Sequence, residues 1–276
     1  MSVLSPAPPP TPLSVYILTF NSEKYLHPLL SRVRPVADEL LLVDSGSTDQ
    51  TLAIAERYGC QVLHRPLDNF RSQREFALRA CAHPVVLMLD SDEIPNADLI
   101  AHLAELKQTG FAEDAYQLRR DWLVMGRPVH CLYPVVSPDF VVRLVKKDLV
   151  SFDDRSLTVH EKPFGYRTLG QLRGAVAHHT FGTEAELFRK LDQYTTLAAN
   201  DLRLRGIRPT WWRRLLLPPA VWAKWYLLKG GWQDGRVGWV LGRYAFAYTA
   251  RKLRKATETP PIPAPQPPAP MAEIGA

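Results

Sequence analysis

"VVLMLDSDEIP", Val85–Pro95, runs through five apolar residues and then places three carboxylates, Asp90, Asp92 and Glu93, within four positions. A short continuous apolar run bounded by turn signals reads as a strand buried on both faces, as in parallel sheets. Its charged end poses a chemical question. Carboxylates crowded together raise each other's pKa unless a cation sits among them, and a bound metal ion is the expected answer.

The same pattern extends toward the N-terminus. Strand "LSVYILTF", helix "SEKYLHPLLSRV", strand "ELLLVDS", helix "DQTLAIAERYG", strand "QVLHR" and helix "FRSQREFALRACA" precede the quoted stretch. Apolar strands alternating with helix-period segments predict βαβ units in a doubly wound, mostly parallel sheet, whose ligands bind beyond the carboxyl ends of the strands. Polar residues gather at those ends: Thr19 and Asn21 after the first strand, Asp44 after the second, Asp90 and Asp92 after the fourth. Helix capping and turn chemistry account for part of this, notably Ser47 and Thr48, and that reading stays open for Asp44. Capping does not account for two aspartates and a glutamate after one strand. An Asp-x-Asp there suits Mg²⁺ or Mn²⁺ holding a nucleotide diphosphate, because such ions take hard oxygen ligands and keep positions open for phosphate.

Toward the C-terminus, a helix is expected at about 97–109. Short strands follow, "AYQLRR", "FVVRLVKK" and "GAVAHHT" being the clearest, and then a helix over 184–206 that Gly206 stops. Composition changes beyond it. Residues 203–255 hold 13 Lys/Arg against a single acid, Asp234, and six of the chain's seven tryptophans, so the formal charge of +6 is concentrated there. "WWRRLLLPPAVWAKWYLLKGGW" mixes Trp, Leu and cations in the manner of an interfacial segment seeking an anionic membrane surface. Its Leu content and Pro218–Pro219 favour lipid over nucleic acid, so no nucleic-acid partner is expected. Packing of these tryptophans on the catalytic core is the plainer alternative.

The 276 residues, 46% hydrophobic, suffice for a packed core. Cys60, Cys81 and Cys131 lack paired-ligand spacing and read as reduced thiols. The N-terminus lacks signal-peptide character, and no run of 18 apolar residues occurs. The expected location is the cytoplasm, peripheral on the inner face of the cytoplasmic membrane.

Three stretches together, "SVYILTFNSEKYL", "ADELLLVDSGSTDQTLAIAERYG" and "NFRSQREFALRACAHPVVLMLDSDE", resemble a family-2 glycosyltransferase with the nucleotide-sugar-binding GT-A fold. "LDSDE", "VHEKP", "GAVAHHTF", "FRKLDQYTTLAA" and "KGGWQDGRVGW" resemble, more narrowly, the bacterial branch containing lipopolysaccharide inner-core β-1,4-glucosyltransferases. The resemblance implies a UDP-sugar donor, a divalent cation (Mg or Mn), and inverting transfer to a lipid-linked saccharide. It places Thr19, Asn21 and Asp44 around the nucleoside. Asp92 lies closest to the metal, Asp90 at the metal or the ribose, and His178 stands as a third metal ligand, with a hydrogen-bonded core histidine as the alternative. Arg74, beside Gln73 on the helix before the metal strand, is a candidate phosphate partner, and Arg143 has similar standing. An inverting reaction needs a carboxylate base on the acceptor side. Glu161 in "TVHEKP" is the candidate, with Asp153 and Asp154 as substitutes. Rival readings are transfer to polyprenyl phosphate or another envelope glycan, a nucleotidyltransferase, and an inactive sugar-nucleotide binder. The domain organisation expected is a Pro-rich tail at 1–12 and a catalytic domain at 13–206. That domain divides into a nucleotide-sugar half (13–93) and an acceptor half (94–206), before a basic Trp-rich helical extension at 207–255 and a second tail at 256–276.

Overall fold

A computed structural model describes residues 9–152 and 162–258. They divide into two compact units, one ending at Thr183 and one beginning at Glu184. The helix expected to close the catalytic domain therefore groups with the C-terminal helices.

The first unit is built on a nine-stranded sheet. Its strands, in chain order, are β1 (Leu13–Thr19), β2 (Glu39–Asp44), β3 (Gln61–His64), β4 (Val85–Asp90), β5 (Glu93–Pro95), β6 (Ala115–Val124), β7 (Arg127–Pro128), β8 (Asp139–Lys146) and β9 (Leu169–Thr180). The spatial order is β3-β2-β1-β4-β8-β6-β9-β5, with β7 on β6. The pairings among β1 to β4 are parallel, as the apolar runs predict. Beyond β4 the sheet is mixed, because β8 enters antiparallel to both β4 and β6, and β9 then runs parallel to β6.

The four helices of this unit are α1 (Glu23–Val33), α2 (Thr51–Arg57), α3 (Phe70–Ala80) and α4 (Ala97–Thr109). Strand alternation sorts the core onto the two faces of the sheet. Leu13, Val15 and Ile17 of β1 join Val85, Leu87 and Leu89 of β4 on one face, covered by α1 and α4. Tyr16, Val86 and Met88 occupy the other, covered by Ala77 and Leu78 of α3. In α1, Leu26, Leu29, Leu30 and Val33 follow helical spacing and are fully buried, each stabilising by about 1.5–3 kcal/mol.

Two local devices set the strand ends. Between Val142 and Leu144 the β8–β6 register slips, so Arg143 is an extra, bulged residue. In β9 the register slips between Gln171 and Ala175, where Gly174 has φ +84°. A Cβ at Gly174 would collide with the backbone of Leu99 and the side chain of Asn96, so glycine alone allows the strand to lie against the start of α4. Asn96 Oδ1 accepts from both Leu99 N (3.0 Å) and Ala175 N (3.1 Å), capping α4 and fixing β9 with one side chain.

The second unit contains α5 (Glu184–Leu204), α6 (Trp211–Ala223), a π-helical turn (Lys224–Leu228), a 3₁₀ turn (Gly231–Asp234) and α7 (Gly235–Glu258). The basic Trp-rich segment is thus helical, as expected. Leu187, Leu191, Thr195 and Ala199 bury one stripe of α5, and Lys255 of α7 bonds Asp192 at 2.6 Å. No helix among the described residues is long and apolar enough to cross a membrane.

Candidate active site

The loops leaving β1 and β2 are laced together. Asn21 N donates to Ser47 Oγ (2.9 Å), Thr48 N to Asn21 Oδ1 (2.8 Å), Ser22 N to Thr51 Oγ1 (2.7 Å) and Glu23 N to Asp49 Oδ2 (3.1 Å). Asn21 sits at φ +49°, a conformation asparagine tolerates better than most residues. Asp44 is fully buried at the centre of this lacing. Oδ1 accepts from the hydroxyls of Thr19 (3.0 Å) and Ser47 (2.5 Å), and Oδ2 from the amides of Gly46 (2.9 Å) and Ser47 (2.8 Å). Burial pushes its carboxyl up, but these donors more than offset that and hold it below the usual range. The roughly four acceptor positions of a carboxylate are all filled. Asp44 thus organises the turn at the strand end where it was expected to meet the nucleoside.

At the end of β4 the chain makes a two-residue turn, Ser91–Asp92, and returns as β5, which pairs antiparallel with β9 and sets His178 opposite Glu93. His179 N donates to Asp92 O (2.9 Å), and Ser22 Oγ donates to Ser91 Oγ (2.8 Å), tying this turn to the β1 loop.

The crowded acids find their cations inside the protein. Arg74 of α3 donates to Asp90 Oδ1 (2.7 Å), and bulged Arg143 donates to both Asp90 Oδ2 (2.6 Å) and Glu93 Oε1 (2.7 Å). Arg120 of β6 reaches Glu93 Oε1 (3.2 Å) and grips Asp139 through Nε (3.0 Å) and Nη2 (2.6 Å). Burial raises the Asp90 pKa, yet Arg143, Arg74 and His178 together drive it far below the ordinary carboxylate range. Arg74 thus reaches Asp90 from α3, and each Asp90 oxygen accepts from an arginine. Gln73 is also internal, its amide donating to Ser45 Oγ and Arg65 O at 3.1 Å each.

Asp92 stands apart from this network. Its side chain is 34% exposed, and its Oδ2 lies 3.4 Å from His178 Nε2. Ligands at right angles on a six-coordinate Mg²⁺ with bonds of 2.0–2.1 Å stand about 3 Å apart, so this pair fits a divalent ion that leaves its other positions to water and phosphate. Among the described residues no cluster of three or more His, Cys, Asp or Glu forms a metal site. Asp92 and His178 are the pair whose geometry fits an ion, and Asp90, the other expected ligand, accepts from Arg74 and Arg143. His178 is well oriented: its ring stacks on Trp122 (4.3 Å, 23°), the Trp122 indole donates to Asp139 Oδ1 (2.9 Å), and the Arg120 guanidinium lies over the indole, 4.6 Å from its ring centroid. Its Nδ1 is buried without a hydrogen-bond partner, 3.9 Å from Glu93 Oε1. Burial lowers its pKa, but Asp92 and Glu93 together more than offset that and raise it. His179 points the other way and stacks on Tyr25 at 4.7 Å. Glu161, Asp153 and Asp154 lie outside the described residues.

Trp122, Arg120 and Asp139 were not singled out from the sequence. Arg120 and Trp122 share one face of β6 by simple alternation, and an arginine between apolar neighbours in "FVVRLV" signals a buried cation in need of an acid.

A parallel sheet whose laced loops and acid-bearing turn meet at the carboxyl ends of β1, β2 and β4 is the frame of a nucleotide-dependent transferase. Comparison with known proteins makes this specific. Residues 14–129 match the family described as Glycosyl transferase family 2. The chain is 29% identical over 258 residues to the lipopolysaccharide core biosynthesis glycosyltransferase LpsC of Rhizobium meliloti (strain 1021), covering 88% of this chain and 92% of that protein. It is 28% identical to an uncharacterized glycosyltransferase of Rickettsia conorii, covering 89% and 90% respectively. Among solved structures, glucosyl-3-phosphoglycerate synthase of Mycobacterium tuberculosis in complex with Mn²⁺ and UDP-glucose superimposes with a TM-score of 0.44 at 19% identity, covering 72% of this chain and 81% of that one. Residues 14–129 thus match a glycosyl transferase family 2 domain, and along most of its length the chain is similar to a glycosyltransferase of lipopolysaccharide core biosynthesis.

Proposed function

We propose that this enzyme transfers glucose from UDP-glucose, with inversion, to a lipid-linked envelope saccharide such as lipopolysaccharide core, while docked on the inner face of the cytoplasmic membrane. The observation that carries the donor side is the accessible Asp92–His178 pair at the end of β4. Asp92 and His178 would hold the divalent ion, which when bound would supply charge stabilisation to the departing diphosphate. Thr19, Asn21 and Asp44 frame the nucleoside pocket by fixing its loops, and Asp90, 28% exposed, retains acceptor capacity toward the ribose. Glu161 takes the proton of the acceptor hydroxyl as the new bond forms.

The acceptor side is supported by the similarity to a protein named for lipopolysaccharide core biosynthesis. Further support comes from α6, where every residue from 211 to 217 is exposed, Trp211 at 76% and Leu215 at 65%. With Arg213 and Arg214 among them, this is an apolar and cationic helix suited to anionic headgroups.

Thermal-shift measurements across nucleoside-diphosphate sugars with and without Mn²⁺ test the donor, since a ligand that binds the native state raises its stability. Asp92→Asn is expected to abolish the Mn²⁺-dependent part of UDP affinity while leaving the melting temperature of the free protein unchanged. Retained Mn²⁺ response in that variant overturns the metal assignment. Glu161→Gln should keep UDP-sugar affinity and lose transfer by about 10²–10⁴-fold. Near-native transfer there, with collapse in Asp153→Asn or Asp154→Asn, moves the base to those residues.

A further inference from the structure

A cleft of about 400 Å³ lies within the helical unit, lined by Phe188 of α5, Pro219 and Trp222 of α6, and Arg243, Phe246 and Ala247 of α7. Five of these residues are apolar, and Pro219 presents no N–H. The single charge is Arg243, which is half-exposed, pairs with Glu184 at 3.1 Å and lies 5.7 Å from the Phe188 ring.

The walls are braced rather than collapsible. Trp222 stacks on Tyr226 at 5.3 Å and meets Trp239 edge-on at 6.3 Å, and Phe188 meets Tyr244 edge-on at 6.1 Å. Gly242 brings α7 so close that an added Cβ would press on Trp222 and Tyr226 at 3.1–3.3 Å.

We propose that this cleft takes one hydrocarbon chain of an anionic phospholipid, with Arg243 exchanging Glu184 for the headgroup phosphate. The volume falls within the range of small-molecule sites, and the lining suits a chain that makes no hydrogen bonds. A guanidinium fork matches phosphate oxygens bidentately. The position fits as well: Pro219 lies one helical turn beyond exposed Leu215 on α6, so the cleft opens from the element that carries the Trp, Leu and Arg surface. The proposal rests on membrane docking but claims more, a single lipid in a defined site.

The test uses the full chain and dihexanoyl phosphatidic acid, which is monomeric in water, with binding followed by calorimetry. Saturable one-to-one binding is expected. Ala247→Trp, which fills the cleft, should abolish it, and Phe246→Gln, at an exposed helix position, should weaken it if the larger substitution misfolds. Arg243→Gln should weaken phosphatidic acid by about tenfold while leaving dihexanoylglycerol unchanged, because only the former offers a phosphate. Absence of saturable binding, equal binding by inorganic phosphate alone, or indifference to the Ala247, Phe246 and Arg243 variants overturns the proposal. The double variant Trp211→Ser/Leu215→Ser separates the two readings. It should keep monomer binding and lose anionic vesicles. Unchanged vesicle binding in that variant defeats docking through α6 while the cleft stands.

Discussion

At the carboxyl end of the sheet, Arg74, Arg143 and Glu93 are each less than a tenth exposed, whereas in the helical unit Trp211 and Leu228 are each more than three-quarters exposed. Both regions depart from the usual placement of charges outside and large apolar groups inside. The buried charges are tolerated because the chain supplies every one of them with an opposite partner within 3.2 Å. The exposed apolar groups have no such answer within their own helix. One departure is closed by ion pairs, and the other leaves large apolar groups exposed among the described residues.

The sharpest way to break this comparison is to open the closed region. Arg143→Met removes the cation shared by Asp90 and Glu93, and uncompensated buried charge of this kind costs about 3–5 kcal/mol. Denaturant unfolding should report that loss. A change below about 1 kcal/mol would mean that Arg74 and Arg120 alone neutralise the acids.

A smaller effect is expected at Asp44, whose four donors form a closed arrangement of hydrogen bonds rather than ion pairs. Asp44→Asn turns an acceptor against a donor and should cost about 1.5–3 kcal/mol at neutral pH. The pH dependence has a definite sign. With its folded-state pKa depressed, Asp44 contributes in full above its unfolded value of about 3.9 and loses that contribution as pH falls through the lower folded value. Unfolding curves of the two proteins should therefore converge below about pH 4, and a constant gap there would contradict the assignment.

The smallest effect on stability belongs to the open region. Trp211→Ser/Leu215→Ser should alter unfolding by less than about 0.5 kcal/mol, because both side chains are already in water. Sedimentation with anionic vesicles should nonetheless fall by about tenfold, and wild-type binding should weaken as salt screens the cations. Substantial destabilisation by this pair would show that the helix is closed by contacts of its own.

These contrasts also mark what the sequence could reveal. The first four strands and three helices were legible, because continuous apolar runs such as "VYIL" and the spacing of Leu26, Leu29, Leu30 and Val33 are local signals. Asp92 and His178 were expected together from strand ends and family resemblance, and their side chains lie 3.4 Å apart. The neutralising arginines were not assigned their role, because Arg74, Arg120 and Arg143 come from three elements, and Arg143 meets Asp90 across 53 residues of chain. Only the antiparallel entry of β8 beside β4 brings them together, and that pairing is a property of topology. The sequence argument counted the negative charges of one segment, and the arginines that meet Asp90 and Glu93 lie on elements distant along the chain.

The bulge at Arg143 ties the shape of a strand to its charge. Deleting that one residue would restore an unbroken ladder between β8 and β6 and simultaneously withdraw the guanidinium from Asp90 and Glu93. A straighter strand would leave the acidic turn with Arg74 and Arg120 as its remaining arginines.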